Sequence, residues 1–194
     1  MGMVMDFINV YDNFLSSEEC QHYINLFESS TSKDGVCYYD GVDGVFHNIK
    51  KTRELTPDIT LFSTCKFNLI HERLKDVVSQ YRDDYKVWDY YKWDIEIDDG
   101  FNFAKYETDD CGFKDWHTEH GLGDVQCRRV LVWMVYLNNA QSGTEFFAFD
   151  NIDAKEGRCI VWPAGFTHIH RSAPNKGLKY VMTGWISLSQ NRYN

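Results

Sequence analysis

Residues 159–188 read CIVWPAGFTHIHRSAPNKGLKYVMTGWISL. This stretch contains three short runs rich in β-branched and aromatic residues, Cys159–Trp162, Ile169–Ser172 and Lys179–Leu188. Proline, glycine and asparagine occur in the segments between the runs, which is typical of strands joined by turns. The carboxyl-terminal part of the chain is therefore predicted to form a β-sheet.

The same pattern extends upstream to Trp88 and adds five candidate strands. They are Trp93–Ile97, Phe101–Tyr106, Trp116–Glu119, Val130–Leu137 and Thr144–Phe149. Eight short strands preceded by helices are typical of a jelly-roll with a helical buttress on one sheet. The predicted fold class is mostly β with helical support (α+β), built around a double-stranded β-helix (jelly-roll) core.

The amino-terminal third of the chain predicts helices. Ser16 or Ser17 can cap a helix that runs through Phe27. Apolar side chains recur at near-helical spacing over residues 66–81, from Lys66 to Tyr81. This second segment predicts an amphipathic helix that packs on the sheet.

The chain shows no internal repeat, linker or compositional break, so we expect a single domain over residues 1–194. Within it, residues 1–90 are expected to give mainly helical support and residues 91–190 to form the jelly-roll core. A short strand is predicted at Phe7–Val10 and a loop over residues 29–58.

Composition narrows the class of protein further. The chain has 29 acidic and 20 basic residues and a formal net charge of −9, which opposes non-specific binding to nucleic acid or to anionic membranes. No apolar run approaches the ~20 residues of a membrane-spanning helix. The six cysteines are too far apart for a zinc-ribbon pattern, and no secretory signal is visible. We therefore expect a protein of the reducing cytoplasm.

The sequence WHTEH carries the strongest chemical signal. Alternate side chains of a strand share a face, so His117 and Glu119 are expected to point the same way and to bind one ion. His168 or His170 could supply a third ligand. Two imidazoles and one carboxylate, with the other positions open, are the ligand set of non-haem Fe(II) oxygenases. Geometry alone leaves His168 and His120 as alternative ligands, because alternation places His168 on the same face as His170.

Longer stretches resemble the 2-oxoglutarate/Fe(II) dioxygenases, and within them the prolyl 4-hydroxylase-like branch. The resemblance covers roughly residues 90–188. The sequence is also similar to oxygenase-like reading frames of bacteriophages, and a phage-encoded protein would be expected in the host cytoplasm. It rests on the following segments: Phe103–Tyr106, Gly112-Phe113, Arg129–Leu131, Tyr136–Asn138, Gly143–Phe146, Trp162-Pro163, His170–Ser172, Gly177–Tyr180 and Thr183–Trp185.

The resemblance implies a complete set of site residues. His117, Glu119 and His170 would be the iron ligands, with His170 preferred over His168 because Pro174 and Lys179 then fall at the usual offsets of the branch. Glu119 stands where the branch usually has Asp, so the carboxylate is retained on a side chain that is one methylene longer. The implied contacts to the 2-oxoglutarate cosubstrate are made by Lys179, which would pair with its distal carboxylate, and by Tyr106, Tyr136, Thr183 and Trp185.

The resemblance also implies an activity. We expect a dioxygenase that uses Fe(II), 2-oxoglutarate and O2, with ascorbate as a further candidate cofactor. The leading expectation is prolyl hydroxylation of a peptide or protein. The alternatives are hydroxylation of a free amino acid or small metabolite and, in a different class, a non-enzymatic jelly-roll binding module. No nucleic-acid or membrane partner is expected.

Overall fold

The computed structural model describes residues 5–39, 41–55, 67–86, 90 and 94–189. The described residues include the α-helices α1 (Ser17–Ser29) and α2 (Phe67–Asp84), and 3-10 turns at Gln126–Arg128 and Phe166–His168. The strands are β1 (Asn9–Tyr11), β2 (Lys33–Asp34), β3 (Cys37–Tyr39), β4 (Val42–Gly44), β5 (Lys50–Lys51), β6 (Arg53–Leu55), β7 (Ile95–Tyr106), β8 (Gly112–Phe113), β9 (Arg129–Tyr136), β10 (Gly143–Phe146), β11 (Ile152–Asp153), β12 (Cys159–Pro163), β13 (His170–Ser172) and β14 (Lys179–Leu188).

Two antiparallel sheets form the jelly-roll core. The larger has seven strands in the order β1-β12-β9-β14-β7-β6-β2, and the smaller has three in the order β11-β10-β13. Two further pairs, β3-β4 and β5-β8, lie beside them. Strand β14 is central, since it pairs with β7 on one side and β9 on the other. The predicted fold class is confirmed.

Alternation along the central strands separates two cores. Met182 of β14 belongs to the cluster in which Tyr23 of α1 and Leu74 of α2 pack on the large sheet. Its neighbour Val181 belongs to the second cluster, which joins the two sheets through residues such as Phe146. Successive side chains of a strand point to opposite faces, so each central strand serves both cores. The helices thus buttress one face and leave the other to the site.

An ion pair between Glu19 and Arg73 joins the two helices. Ser16 caps α1, and its side chain and that of Glu19 form a reciprocal capping box. The Glu19 carboxylate also accepts two hydrogen bonds from Arg73 of α2, at 2.8 and 2.9 Å. Arg73 donates in addition to the carbonyl of Phe14. The predicted helices at 16–27 and 66–81 are therefore confirmed within the described residues, while Lys66 lies outside them.

The prediction of a loop over residues 29–58 is wrong. Five strands, β2 to β6, fall within it, and β6 extends the large sheet by pairing with β7. Each of these strands is only two or three residues long, too short to show a periodic pattern. This correction matters for function, because β3 to β6 contribute one wall of the site.

Smaller boundary differences follow from irregular pairing. The two strands predicted at 93–97 and 101–106 are one strand, β7, whose pairing with β14 shifts register between Gly184 and Ile186; Trp93 lies outside the described residues. The strand predicted at 144–149 ends at Phe146, and that predicted at 7–10 lies at 9–11.

The predicted strand Trp116–Glu119 is not a regular strand. His117 forms an isolated antiparallel bridge with His170, and the residues beside it are irregular.

None of the helices in the described ranges is long and apolar enough to cross a membrane. The described cysteines are free thiols, namely Cys20, Cys37, Cys111, Cys127 and Cys159.

Candidate active site

Backbone hydrogen bonds bring two histidines and a glutamate together between the two sheets. His117 and His170 exchange both of their backbone hydrogen bonds, each at 3.0 Å. The amide of Glu119 donates to the carbonyl of Ala164, just beyond β12, at 3.2 Å. The site is therefore assembled by main-chain contacts between segments about fifty residues apart in sequence.

The three side chains converge on one point. Glu119 Oε1 lies 3.7 Å from Nε2 of His117 and 3.7 Å from Nε2 of His170. One ligand atom from each residue can be chosen so that all three lie within 4.8 Å of one another. The sequence predicted this convergence from strand alternation, whereas the structure achieves it through the isolated bridge.

The imidazoles are oriented by carbonyl groups. Nδ1 of His117 lies 2.9 Å from the carbonyl of Asp115, and Nδ1 of His170 lies 3.0 Å from that of His168. A carbonyl oxygen can only accept, so each Nδ1 carries the proton and each Nε2 is left with a free lone pair. Metal-binding histidines are commonly held in this way.

Burial keeps His117 neutral. Burial, and to a smaller degree the neighbouring His170, lowers the pKa of His117 to about 4. Phe113 of β8 stacks on the ring, with centroids 3.6 Å apart and planes 12° from parallel. Neutral imidazole is the form that binds a metal ion.

A tryptophan and an arginine hold the Glu119 carboxylate. Trp185 Nε1 donates to Oε2 at 2.9 Å, and Arg129 approaches the same oxygen at 3.4 Å and the Glu119 carbonyl at 3.1 Å. The Arg129 guanidinium stacks on the indole at 3.6 Å. Because Oε2 is engaged in this way, Oε1 is the oxygen that faces the imidazoles.

The carboxylate is also kept ionised. Burial acts to raise the pKa of Glu119, but His170, His117 and the Trp185 N–H together outweigh burial and lower the pKa to about 2. Two imidazoles and one carboxylate form a nitrogen- and oxygen-donor set that fits a divalent first-row metal with open coordination positions. Among the described residues this is the one group with such an arrangement.

The two alternative histidines, His168 and His120, are not part of the group of three. His168 sits in a 3-10 turn, where Nε2 contacts the carbonyl of Asp6 at 2.7 Å and the ring stacks on Phe149. His120 lines the same cavity but is not part of the group of three. The geometry therefore favours His170 as the third ligand.

A buried lysine occupies the opposite end of the site. Lys179 is 2% exposed, and its Nζ donates to Ser142 Oγ at 2.7 Å and to Ser172 Oγ at 3.0 Å, with the ring of Tyr106 4.4 Å away. No carboxylate in the described part of the chain pairs with it. Burial lowers the pKa of Lys179 to about 7. A buried ammonium with only neutral partners could pair with an anion.

One cavity of about 740 Å³ joins the two ends. Lys179, Thr183 and Trp185 line it from one face of β14, and Tyr106 lines it from β7. Tyr136 is not among the lining residues; it is fully buried and its hydroxyl bonds Thr144 Oγ1 at 2.7 Å. Its predicted contact with cosubstrate stays a prediction, as do the assignments of the other site residues.

Sequence reasoning missed three groups that shape the site. Arg129 holds Glu119, Phe113 covers His117, and the pair Lys50–Glu54 lines the cavity from β5 and β6. The first two belonged to segments noted for their resemblance, but no local pattern reveals which distant side chain they touch. The pair lay in the stretch predicted as a loop.

Residues 101–187, which include all three candidate ligands and Lys179, match the family model of the 2OG-Fe(II) oxygenase superfamily. No curated protein is similar enough to this chain to match it.

Solved structures share the fold. A prolyl hydroxylase from Trichoplax adhaerens, in complex with a hypoxia inducible factor peptide fragment, has a TM-score of 0.71 and 16% identity over 94% of this chain and 84% of that one. The viral collagen prolyl hydroxylase of Paramecium bursaria Chlorella virus-1, in complex with 2OG, has a TM-score of 0.62 and 17% identity over 94% and 97%. A Pseudomonas putida prolyl-4-hydroxylase has a TM-score of 0.64 and 14% identity over 95% and 94%.

Proposed function

Residues 101–187 form a 2OG-Fe(II) oxygenase domain and the protein is accordingly a dioxygenase, so we propose that it hydroxylates a prolyl residue within a peptide or protein. The cofactors of this superfamily are Fe(II), 2-oxoglutarate and O2. The overall reaction places one oxygen atom of O2 in a C–H bond of the substrate and the other in succinate, with release of CO2.

One juxtaposition carries the proposal. A neutral His117, an ionised Glu119 and His170 converge at one end of the cavity, and an unpaired buried Lys179 lies at the other. The first end suits a divalent cation and the second suits a carboxylate. A ligand that is a metal chelator at one end and a carboxylate at the other satisfies both, and 2-oxoglutarate has this form.

In this proposal His117, Glu119 and His170 hold Fe(II), which supplies the activation of O2 when bound. Trp185 and Arg129 hold Oε2 of Glu119, so Oε1 is the oxygen that would reach the metal. Phe113 and the surrounding burial exclude water from the His117 side of the site.

Lys179 binds the distal carboxylate of 2-oxoglutarate, with Ser142 and Ser172 orienting its ammonium. Burial raises the pKa of Tyr106, so its hydroxyl keeps its proton and can donate to the same cosubstrate. Thr183, which shares the β14 face with Lys179, can donate from the floor of the cavity. A short charge-assisted bond in a dry pocket gives this end much of its affinity.

A peptide substrate is supported by the solved relatives and by the mouth of the cavity. The Trichoplax enzyme was solved with a peptide fragment, and the viral enzyme is described as a collagen prolyl hydroxylase. In this chain, Tyr38 and Leu122 line the mouth and are 70% and 104% exposed. Exposed apolar groups beside a binding cavity are typical of a surface that takes an extended partner.

The test is product analysis. Purified protein with Fe(II), 2-oxoglutarate and a panel of proline-containing peptides should release succinate, and mass spectrometry should find one oxygen added to a prolyl residue in matching amount. Turnover of free proline or another free amino acid, with every peptide unmodified, would contradict the peptide proposal and leave the dioxygenase assignment intact.

A further inference from the structure

A buried ion pair lines the cavity and has no role in the proposal so far. Lys50 Nζ lies 2.7 Å from Glu54 Oε1, and the two side chains are only 9% and 12% exposed. Both face the cavity that contains the candidate metal ligands. Burial of an ion pair adds little net stability by itself, so its presence in this wall calls for another explanation.

The pair has unused hydrogen-bonding capacity. Glu54 Oε1 accepts from Lys50 and from Thr52 Oγ1, the latter at 2.9 Å, whereas Oε2 has no hydrogen-bond partner within the described ranges. The Lys50 ammonium donates to Glu54 and to the carbonyl of Val36 at 3.0 Å. An ammonium has three N–H groups, so one has no hydrogen-bond acceptor among the described residues. The wall thus offers one acceptor and one donor side by side.

The pair lies next to the reacting end of the cavity. Lys50 Nζ is 5.4 Å from the ring centroid of Phe113, the residue that stacks on His117. Glu54 is the cross-strand partner of Ala104, which also lines the cavity. A molecule positioned for reaction at the metal ligands therefore passes within reach of both free groups.

We propose that Lys50 and Glu54 form a substrate subsite for a peptide amide group. Glu54 Oε2 accepts the N–H of a substrate residue, and the free Lys50 N–H donates to a substrate carbonyl. The inference rests on the proposed peptide hydroxylase function and deepens it. A prolyl nitrogen carries no hydrogen, so the N–H belongs to a residue that flanks the target proline.

The charge balance favours an amide over a charged group. Lys50 and Glu54 neutralise each other, so the wall offers directed hydrogen bonds and little net charge. A free ammonium or carboxylate would have to draw one partner away from the other at a large cost. A neutral dipolar group with a donor and an acceptor satisfies both without breaking the pair.

The test compares Glu54→Gln with backbone-methylated peptides. In this variant the side-chain amide oxygen would take the place that faces Lys50, and the NH2 group would replace the free acceptor with a donor. We expect the KM for a substrate peptide to rise about 10- to 100-fold, which corresponds to the free energy of one hydrogen bond to a charged group. The dissociation constant of 2-oxoglutarate should not change.

A scan of the same peptide, with one backbone N–H methylated at a time, identifies the partner. One position should raise the KM of the wild type by a similar factor and that of Glu54→Gln very little, because the two changes remove the same contact. Glu28→Gln is the control: Glu28 pairs with Lys105 at 2.8 Å outside the cavity, and this variant should behave as the wild type. If Glu54→Gln does not fold, Glu54→Asp keeps the charge, withdraws the oxygen and serves in the same scan.

The outcomes separate the two proposals. A wild type that hydroxylates peptides while Glu54→Gln and every methylated peptide keep the wild-type KM overturns the subsite alone. A wild type that hydroxylates free amino acids and no peptide overturns both the subsite and the peptide function. Equal losses for Glu54→Gln and Glu28→Gln would show a general effect on stability and also overturn the subsite.

Discussion

The two ends of the cavity solve the problem of buried charge in different ways. At the metal end, Glu119 is surrounded by groups that stabilise its negative charge: two imidazoles, the Trp185 indole and Arg129. At the other end, the buried amino group of Lys179 has only neutral partners among the described residues, the hydroxyls of Ser142 and Ser172 and the carbonyl of Gly143.

The difference shows what each end requires. At the metal end, the charge of Glu119 is balanced by its neighbours. Groups outside the set of three orient the candidate ligand side chains. At the lysine end, burial destabilises the ammonium form of Lys179. A bound carboxylate supplies a counter-charge, and part of its affinity comes from that compensation. Substitutions at the two ends should therefore change the free energy of unfolding of the ligand-free protein in opposite directions.

The largest effect is expected at the metal end. His170→Ala removes one of three ligands and should abolish tight Fe(II) or Co(II) binding, a loss greater than the ~10- to 100-fold that follows loss of an outer partner. His168→Ala is the matched control, since that ring contacts Asp6 and Phe149. Metal titration by calorimetry distinguishes them. Wild-type metal affinity in His170→Ala, with loss in His168→Ala, would move the third ligand to His168.

The next effect is expected at Lys179. Lys179→Met leaves the distal carboxylate of 2-oxoglutarate without its partner in a dry pocket, which should weaken binding by about 3–5 kcal/mol, or roughly 150- to 4,000-fold in Kd. The same change removes an uncompensated charge, so we expect the unfolding midpoint of the ligand-free protein to rise. Calorimetry with 2-oxoglutarate and thermal unfolding give the two readouts.

Lys176→Met provides the control for that experiment, because Lys176 is exposed and lies outside the cavity lining. It should keep wild-type cosubstrate affinity and stability. A Kd for 2-oxoglutarate within twofold of wild type in Lys179→Met would remove Lys179 from the cosubstrate site.

Sequence patterns were informative where a structural element has a distinctive composition or spacing. Strands β9, β12 and β14 are runs rich in β-branched and aromatic residues, and helix α2 has apolar side chains at near-helical spacing, so their positions could be predicted. Strands β2 to β6 could not be, because two or three residues carry no period and their pairing depends on distant edges. The wall that contains Lys50 and Glu54 was missed for this reason.

The site shows the same division between local and tertiary information. His117, Glu119 and Lys179 could be selected from spacing and from resemblance. The contacts that aim them could not, because Trp185 reaches Glu119 across 66 residues and Ser142 reaches Lys179 across 37. Tyr136 was selected from resemblance alone, and its hydroxyl bonds Thr144 Oγ1 in the structure; its contact with cosubstrate stays a prediction.

A smaller effect is expected from the group that aims Glu119. Trp185→Phe keeps an aromatic surface for Arg129 to stack on but removes the N–H that holds Oε2. Loss of such an outer partner typically weakens metal binding 10- to 100-fold. Metal titration measures it, with Trp116→Phe, a partly exposed indole outside the cavity lining, as control. Equal metal affinity in Trp185→Phe and wild type would show that the indole does not position the ligand.

The smallest predicted effect is a pH dependence of cosubstrate affinity, set by Lys179. Its pKa in the ligand-free protein is about 7, and a carboxylate pairs with the ammonium form. Below pH 7 the ammonium is already present and the affinity should be flat. Above pH 7 the binding reaction must first protonate the amine, so the affinity should fall about tenfold for each pH unit.

Ligand-free stability should move in the other direction. The folded-state pKa of Lys179 lies below that of an unfolded chain, so the unfolded state binds more protons between pH 7 and about 10.4 and stability rises with pH across that window. Lys179→Arg is the decisive variant, because a guanidinium stays charged throughout. Calorimetry at pH 6.5 to 8.5 in two buffers of different ionisation enthalpy should show uptake of a proton by the wild type above pH 7 and none by Lys179→Arg. Identical pH profiles for the two proteins would mean that Lys179 is already fully charged before 2-oxoglutarate binds, and the contrast between the two ends of the cavity would then be one of geometry alone.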